Sequence, residues 1–122
     1  MPSVIVMDED EPLRALLAEW LSAEGYRVRE AELREIDQGE AVELVVLDLP
    51  RLRLHGAALA ARVRAVCPGA VLLGLSTQAQ ESLPAGSILV QELGLSALLA
   101  KPCSRDELLA AAAQALAWRQ AR

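Results

Sequence analysis

Short apolar runs bounded by polar residues recur along the chain and predict β-strands. Four of these runs cover residues 4–7, 44–47, 71–75 and 97–100. Since they do not alternate between apolar and polar residues, we expect strands that are buried on both faces. A fifth segment, 26–31, does alternate, which predicts a strand at the edge of the sheet.

Apolar residues at helical spacing separate these runs. Residues 13–21 place leucines and a tryptophan on one face of a helix that Pro12 can begin and Gly25 can end. Segment 32–41 is expected to hold a short helix. The other predicted helices are 59–66, 88–93 and one that begins with a capping box at 104–107. A strand followed by a helix, repeated along the chain, is typical of an α/β domain with a parallel sheet.

Composition narrows the classes of function. The chain has 122 residues, of which 53% are hydrophobic, so we expect residues 1–122 to form one folded domain with no output domain. With 12 Lys+Arg and 17 Asp+Glu, the net charge is −5, which argues against direct nucleic-acid binding. No apolar run approaches the roughly 20 residues that span a bilayer, so we expect no membrane association. The two cysteines form no disulfide framework, which favours a cytoplasmic location.

Polar side chains follow the predicted strands at their carboxyl ends. Asp8 and Glu9 follow the first run, Asp48 and Ser76 follow two of the later runs, and Lys101 follows the last. In a parallel sheet these ends meet at one edge, where ligands bind. Crowded carboxylates need cations, which Lys101 and an oxygen-coordinated Mg²⁺ would supply. A carboxylate nucleophile with a lysine, a hydroxyl and a metal suits phosphoryl transfer.

Over nearly its whole length the chain resembles the receiver domains of two-component response regulators. The resemblance rests on the acidic pair after the first strand, on residues 44–49 and on Leu75-Ser76-Thr77. It also rests on the spacing from Gly94 to Lys101-Pro102. It implies a flavodoxin-like, doubly wound fold, in which a five-stranded parallel sheet of order 2-1-3-4-5 carries helices on both faces.

The resemblance also implies a chemistry. Asp48 would accept a phosphoryl group from a sensor histidine kinase or a histidine phosphotransfer protein, in a signalling domain that is not an enzyme. Self-phosphorylation from small donors and autodephosphorylation would accompany it. The peptide bond before Pro102 would be cis. The remaining site residues would be Asp8, Glu9, Asp48 and the carbonyl of Pro50 for Mg²⁺, and Ser76 and Lys101 for the phosphoryl group.

Three departures from the family pattern favour an alternative. Glu9 replaces the usual aspartate, Thr77 stands where a smaller residue is preferred, and Leu98 stands where Tyr or Phe is usual. A degenerate receiver that binds partners without being phosphorylated would accommodate these changes. A third reading, a haloacid-dehalogenase-like phosphatase, rests on Asp8-Glu9-Asp10, but the chain has no room for a cap domain.

The last predicted strand also bears on self-association. We expect Leu98 to lie on the surface of this strand. A homodimer, if one forms, would use the face built from the fourth helix, the fifth strand and the fifth helix.

Overall fold

The computed structural model describes residues 1–121 as a single parallel sheet between two layers of helices. Arg122, the last residue of the predicted domain, lies outside the described residues. The order is β2-β1-β3-β4-β5 and all four neighbouring pairs are parallel, which confirms the predicted fold class. The strands are β1 (Ser3–Met7), β2 (Arg27–Glu30), β3 (Leu44–Asp48), β4 (Val71–Ser76) and β5 (Ala97–Ala100).

Two apolar layers cover the faces of the sheet, as the uninterrupted apolar runs predict. Val4 and Val46 face the layer that contains α1 and α4, whereas Ile5 and Val45 face the layer that contains α2 and α3. The helices are α1 (Glu11–Ala23), α2 (Leu52–Val66), α3 (Ile88–Leu93) and α4 (Arg105–Gln120). Within residues 1–121, no helix has the length and apolar character that crossing a membrane requires.

The predicted helix within 32–41 is wrong. This segment contains only a 3₁₀ turn, Leu33–Glu35, followed by an extended Ile36. Gly39 has a φ of 77°, in the left-handed region, which interrupts any helix across the segment.

The prediction that Leu98 lies on the surface is also wrong. Its side chain is completely buried. The reason lies in the segment between β4 and α3, where Leu83 pairs with Leu98 in antiparallel fashion and covers the outer side of β5.

Gly74, in the middle of the buried β4, is closely surrounded by core side chains. A Cβ added there would lie 2.8 Å from Leu95 Cδ1 and 3.1 Å from Cδ1 of both Leu49 and Leu98. Since three core side chains would have to move, Gly74→Ala is expected to lower the free energy of unfolding by about 1–3 kcal/mol. Urea denaturation measures this change.

Gly86→Ala is the matched control for this prediction. A Cβ at Gly86 would meet no heavy atom within 4 Å, and its φ is outside the left-handed region. Equal unfolding free energies for the two variants would contradict the packing argument.

Candidate functional site

The ammonium group of Lys101 lies between two carboxylates at the carboxyl edge of the sheet. Its Nζ is 2.7 Å from Asp8 Oδ2 and 2.8 Å from Asp48 Oδ1. The exposed fractions of the Lys101, Asp8 and Asp48 side chains are 11%, 1% and 12%. The three charges are therefore largely removed from water, and Lys101 is the group that compensates both carboxylates.

The topology of the sheet brings these three residues together. Asp8 follows β1, Asp48 ends β3, and Lys101 follows β5 on the far side of β4. The Lys101 amide donates to the carbonyl of Ser76 (3.0 Å), which continues the pairing of β5 with β4. The peptide bond between Lys101 and Pro102 is cis, as the resemblance implies.

Hydrogen bonds hold both the side chain and the backbone carbonyl of Asp8. Its Oδ1 accepts a hydrogen bond from the Asp10 amide (2.9 Å), and Asp10 in turn caps α1. Arg14, which the sequence analysis did not single out, donates from Nη1 to the Asp8 carbonyl (3.0 Å) and from Nε to Glu30 (2.9 Å). Its position one turn into α1, after four acidic residues, is the only sequence signal for this role.

A cleft of about 500 Å³ opens beside the ion pairs. Of the predicted metal ligands, Asp8, Glu9, Asp48 and Pro50 all line it. Within residues 1–121, no three His, Cys, Asp or Glu side chains form a ready-made metal site. The reason is that Asp8 is turned towards Lys101, while Glu9 is exposed to solvent.

Ser76, another predicted site residue, does not line this cleft, and its hydroxyl is bonded within the protein. It is fully buried, and its Oγ donates to the carbonyl of Leu49 (2.8 Å) and accepts from the Gln78 amide (3.0 Å). Gln78 also accepts a hydrogen bond from the Leu52 amide at its Oε1 (2.7 Å). Ser76 and Gln78 thus hold the two ends of the loop that follows Asp48.

Comparisons with known proteins bear on this geometry. No family model matches the chain. The transcriptional regulatory protein GlrR of Escherichia coli (strain K12) is 33% identical over 118 residues, which cover 93% of this chain and 26% of GlrR. The chain thus spans about a quarter of the length of the curated relatives it matches.

Two solved structures resemble the chain in their fold. A CheY-like response regulator receiver domain protein from Methanospirillum hungatei JF-1 has a TM-score of 0.80 and 21% identity, over 99% of this chain and 98% of that one. The chain has the fold of a receiver domain of response regulators. A response regulator from Burkholderia pseudomallei, solved with a phosphorylated aspartic acid, a calcium ion and citrate, has a TM-score of 0.68 and 27% identity, over 99% and 72% of the two chains.

Burial is the largest single influence on the pKa values of Asp48 and Lys101 at the receiver site. Burial raises the pKa of Asp48, and the charges of Asp8 and Glu9 raise it further, against the lowering effect of Lys101. For Lys101, burial lowers the pKa, but the contacts with Asp48 and Asp8 outweigh it, so that the pKa is raised. Lys101 therefore stays charged, whereas ionised Asp48 is held in the fold at a cost.

The raised pKa of Asp48 predicts how the stability of the variant Asp48→Asn compares with that of the wild type as the pH changes. A raised pKa means that the folded receiver binds more protons than the unfolded chain between the two pKa values, so the stability due to this group falls as the pH rises. Asp48→Asn is thus expected to melt at a higher temperature than the wild type near neutral pH. The difference should narrow as the pH falls through the range in which Asp48 takes up its proton.

Thermal denaturation across the acidic and neutral range measures this difference. Asp37→Asn, at an exposed loop carboxylate, is the control and should melt like the wild type at every pH. A lower melting temperature for Asp48→Asn near neutral pH would show that pairing with Lys101 outweighs burial.

Proposed function

We propose that this receiver domain accepts a phosphoryl group on Asp48 from the phosphohistidine of a sensor histidine kinase or a histidine phosphotransfer protein, in the cytoplasm and in the presence of Mg²⁺. One observation carries the proposal. Lys101 engages only Oδ1 of Asp48, and among the described residues no hydrogen bond reaches Oδ2, although Asp48 lines the open cleft. An ionised oxygen that faces a cleft beside a fixed ammonium group is suited to nucleophilic attack on phosphorus.

In the proposed phosphoryl transfer, the bond that forms at Asp48 is matched by one that breaks at the donor. Oδ2 of Asp48 forms a bond to phosphorus as the bond from phosphorus to the donor's imidazole nitrogen breaks. That nitrogen keeps the electron pair and takes up a proton from solvent, and Asp48 becomes an acyl phosphate. Lys101, already within 2.8 Å of Asp48, would offset the charge that the phosphoryl group adds. Acetyl phosphate could replace the protein donor, with acetate as the leaving group, and water could later release the phosphate.

The donor set supports a hard divalent cation. Asp8, Glu9, Asp48 and the carbonyl of Pro50 offer only oxygen atoms and line one cleft, which is the chemistry that Mg²⁺ prefers. When bound, the ion would neutralise negative charge on the phosphoryl oxygens. The Burkholderia relative, solved with a phosphorylated aspartic acid and a calcium ion, supports binding of a divalent cation by a domain of this kind. Since both carboxylate oxygens of Asp8 already accept hydrogen bonds, Oδ2 from Lys101 and Oδ1 from the Asp10 amide, we assign direct contact first to Asp48, Glu9 and Pro50.

The orientation of Ser76 favours a second candidate function. Its hydroxyl is bonded to the Leu49 carbonyl and does not line the cleft. A receiver in which this arrangement persisted would have one phosphoryl-binding group fewer. It would then act as a protein-binding module, and the phosphorylation experiment separates the two functions.

Incubation with acetyl phosphate and Mg²⁺, followed by intact-mass measurement, tests the proposal. The wild type should gain the mass of one phosphoryl group, because Oδ2 of Asp48 is accessible. Asp48→Asn should gain none, while the loop control Asp37→Asn should gain as much as the wild type. No gain in the wild type, or the same gain in Asp48→Asn, would reject Asp48 as the phosphoacceptor.

Mg²⁺ alone should stabilise the folded receiver. A ligand that binds only the native state adds about 1.4 kcal/mol when its free concentration is about ten times its dissociation constant. Differential scanning calorimetry should show a rise in melting temperature for the wild type and a much smaller rise for Glu9→Gln and Asp48→Asn. Equal rises in all three proteins would place the cation elsewhere.

A further inference from the structure

The outer edge of β5 is covered by the protein's own chain. The Leu83 amide donates to the Leu98 carbonyl (2.7 Å), and the Leu98 amide donates to the Leu83 carbonyl (2.9 Å). The Ala100 amide donates to Ser82 Oγ (2.9 Å). We call residues 82–84 the strap. It is the single antiparallel contact of an otherwise parallel sheet within residues 1–121.

The strap occupies the hydrogen-bonding groups that an edge strand normally presents. By alternation along β5, the amides of Leu98 and Ala100 point outwards, and the strap accepts a hydrogen bond from each. Both backbone groups of Leu83 point inwards to Leu98, so the new edge is formed by Ser82 and Pro84. Since proline has no amide hydrogen, this edge is a poor template for a further strand.

The sequence of β5 explains why its edge needs such a cover. Edge strands are commonly protected from pairing by charged side chains, but β5 reads Ala-Leu-Leu-Ala and carries none. Lys101, the next residue, is turned into the ion pairs with Asp8 and Asp48. An uncovered β5 would thus present an uncharged, apolar edge.

The strap is anchored on both sides. Before it, Gln78 is bonded to Ser76 and to the Leu52 amide at the start of α2. After it, the Ser87 amide donates to the Pro84 carbonyl (3.0 Å) and leads into α3, which has only six residues. The Leu83 side chain packs against the apolar layer that contains Leu98. The strap is therefore an ordered part of the fold, held by side-chain packing as well as by backbone hydrogen bonds.

We propose that the strap blocks self-association through β5: it closes this edge against β5 of a second copy of the chain, and strand-to-strand pairing requires its displacement. A second copy is the partner that fits, because two identical uncharged edges can pair antiparallel about a two-fold axis, each supplying the amides and carbonyls that the other needs. The inference does not depend on phosphorylation.

Opening the strap by mutation tests this inference in two measurements. Leu83→Pro removes the amide that donates to Leu98, and Leu83→Gly removes the packed side chain if the proline variant does not fold. Gln80→Gly, at an exposed position of the same segment, is the matched control. Hydrogen exchange at Leu98 and Ala100 should accelerate at least about tenfold in the opened variant, while the Leu99 amide, which faces β4, stays protected.

Sedimentation velocity supplies the second measurement. The opened variant should form dimers at concentrations at which the wild type and Gln80→Gly sediment unchanged. Adding Ala97→Lys to the opened variant should reverse this association, since a charged edge blocks pairing by other means. Unchanged exchange, unchanged sedimentation, or association that survives Ala97→Lys would each overturn the proposal.

Discussion

The ion pairs that join Lys101 to Asp8 and Asp48 are the interaction on which the rest of the site depends. They join side chains at the ends of β1, β3 and β5 through one ammonium group. The geometry needs a parallel sheet in the observed order, because only then do the three strand ends meet at one edge. Burial makes the arrangement depend on Lys101, because its loss would leave two largely buried carboxylates without a compensating charge.

The charge balance of the site explains why it calls for a further cation. Asp8, Glu9 and Asp48 carry three negative charges and Lys101 one positive charge, which leaves 1 − 3 = −2 at the cleft. The charges of Asp8 and Glu9 also contribute to the raised pKa of Asp48, although burial is the larger cause. A divalent ion restores neutrality, and a phosphoryl group then arrives at a site that can accept its charge. The acidic cluster thus serves cation binding first, and through it phosphoryl transfer.

Sequence reasoning succeeded where a single local signal sufficed. Strands buried on both faces are continuous apolar runs, so their ends, and with them Asp8, Asp48 and Lys101, could be located. Leu98 could not be placed, because its burial depends on Leu83, a residue distant in sequence whose pairing no local pattern encodes. The same holds for the Ser76 hydroxyl, whose direction is set by the Leu49 carbonyl. The helix predicted within 32–41 does not form as an α-helix, because Gly39 has a left-handed φ although the polar residues around it are compatible with a helix.

Ser76 sets a condition on any phosphorylated state of this receiver. Its hydroxyl now satisfies the Leu49 carbonyl and the Gln78 amide. If Ser76 turns to bind a phosphoryl group, both partners lose it, and a buried polar group left without a hydrogen bond costs about 1–3 kcal/mol. The contact between Ser76 and the phosphoryl group must exceed this cost before the side chain moves. A single hydrogen bond to a charged group contributes roughly 1.5–3 kcal/mol, so it offsets the loss at one of the two partners only. The loop after Asp48 must therefore rearrange to satisfy the other partner before Ser76 can turn.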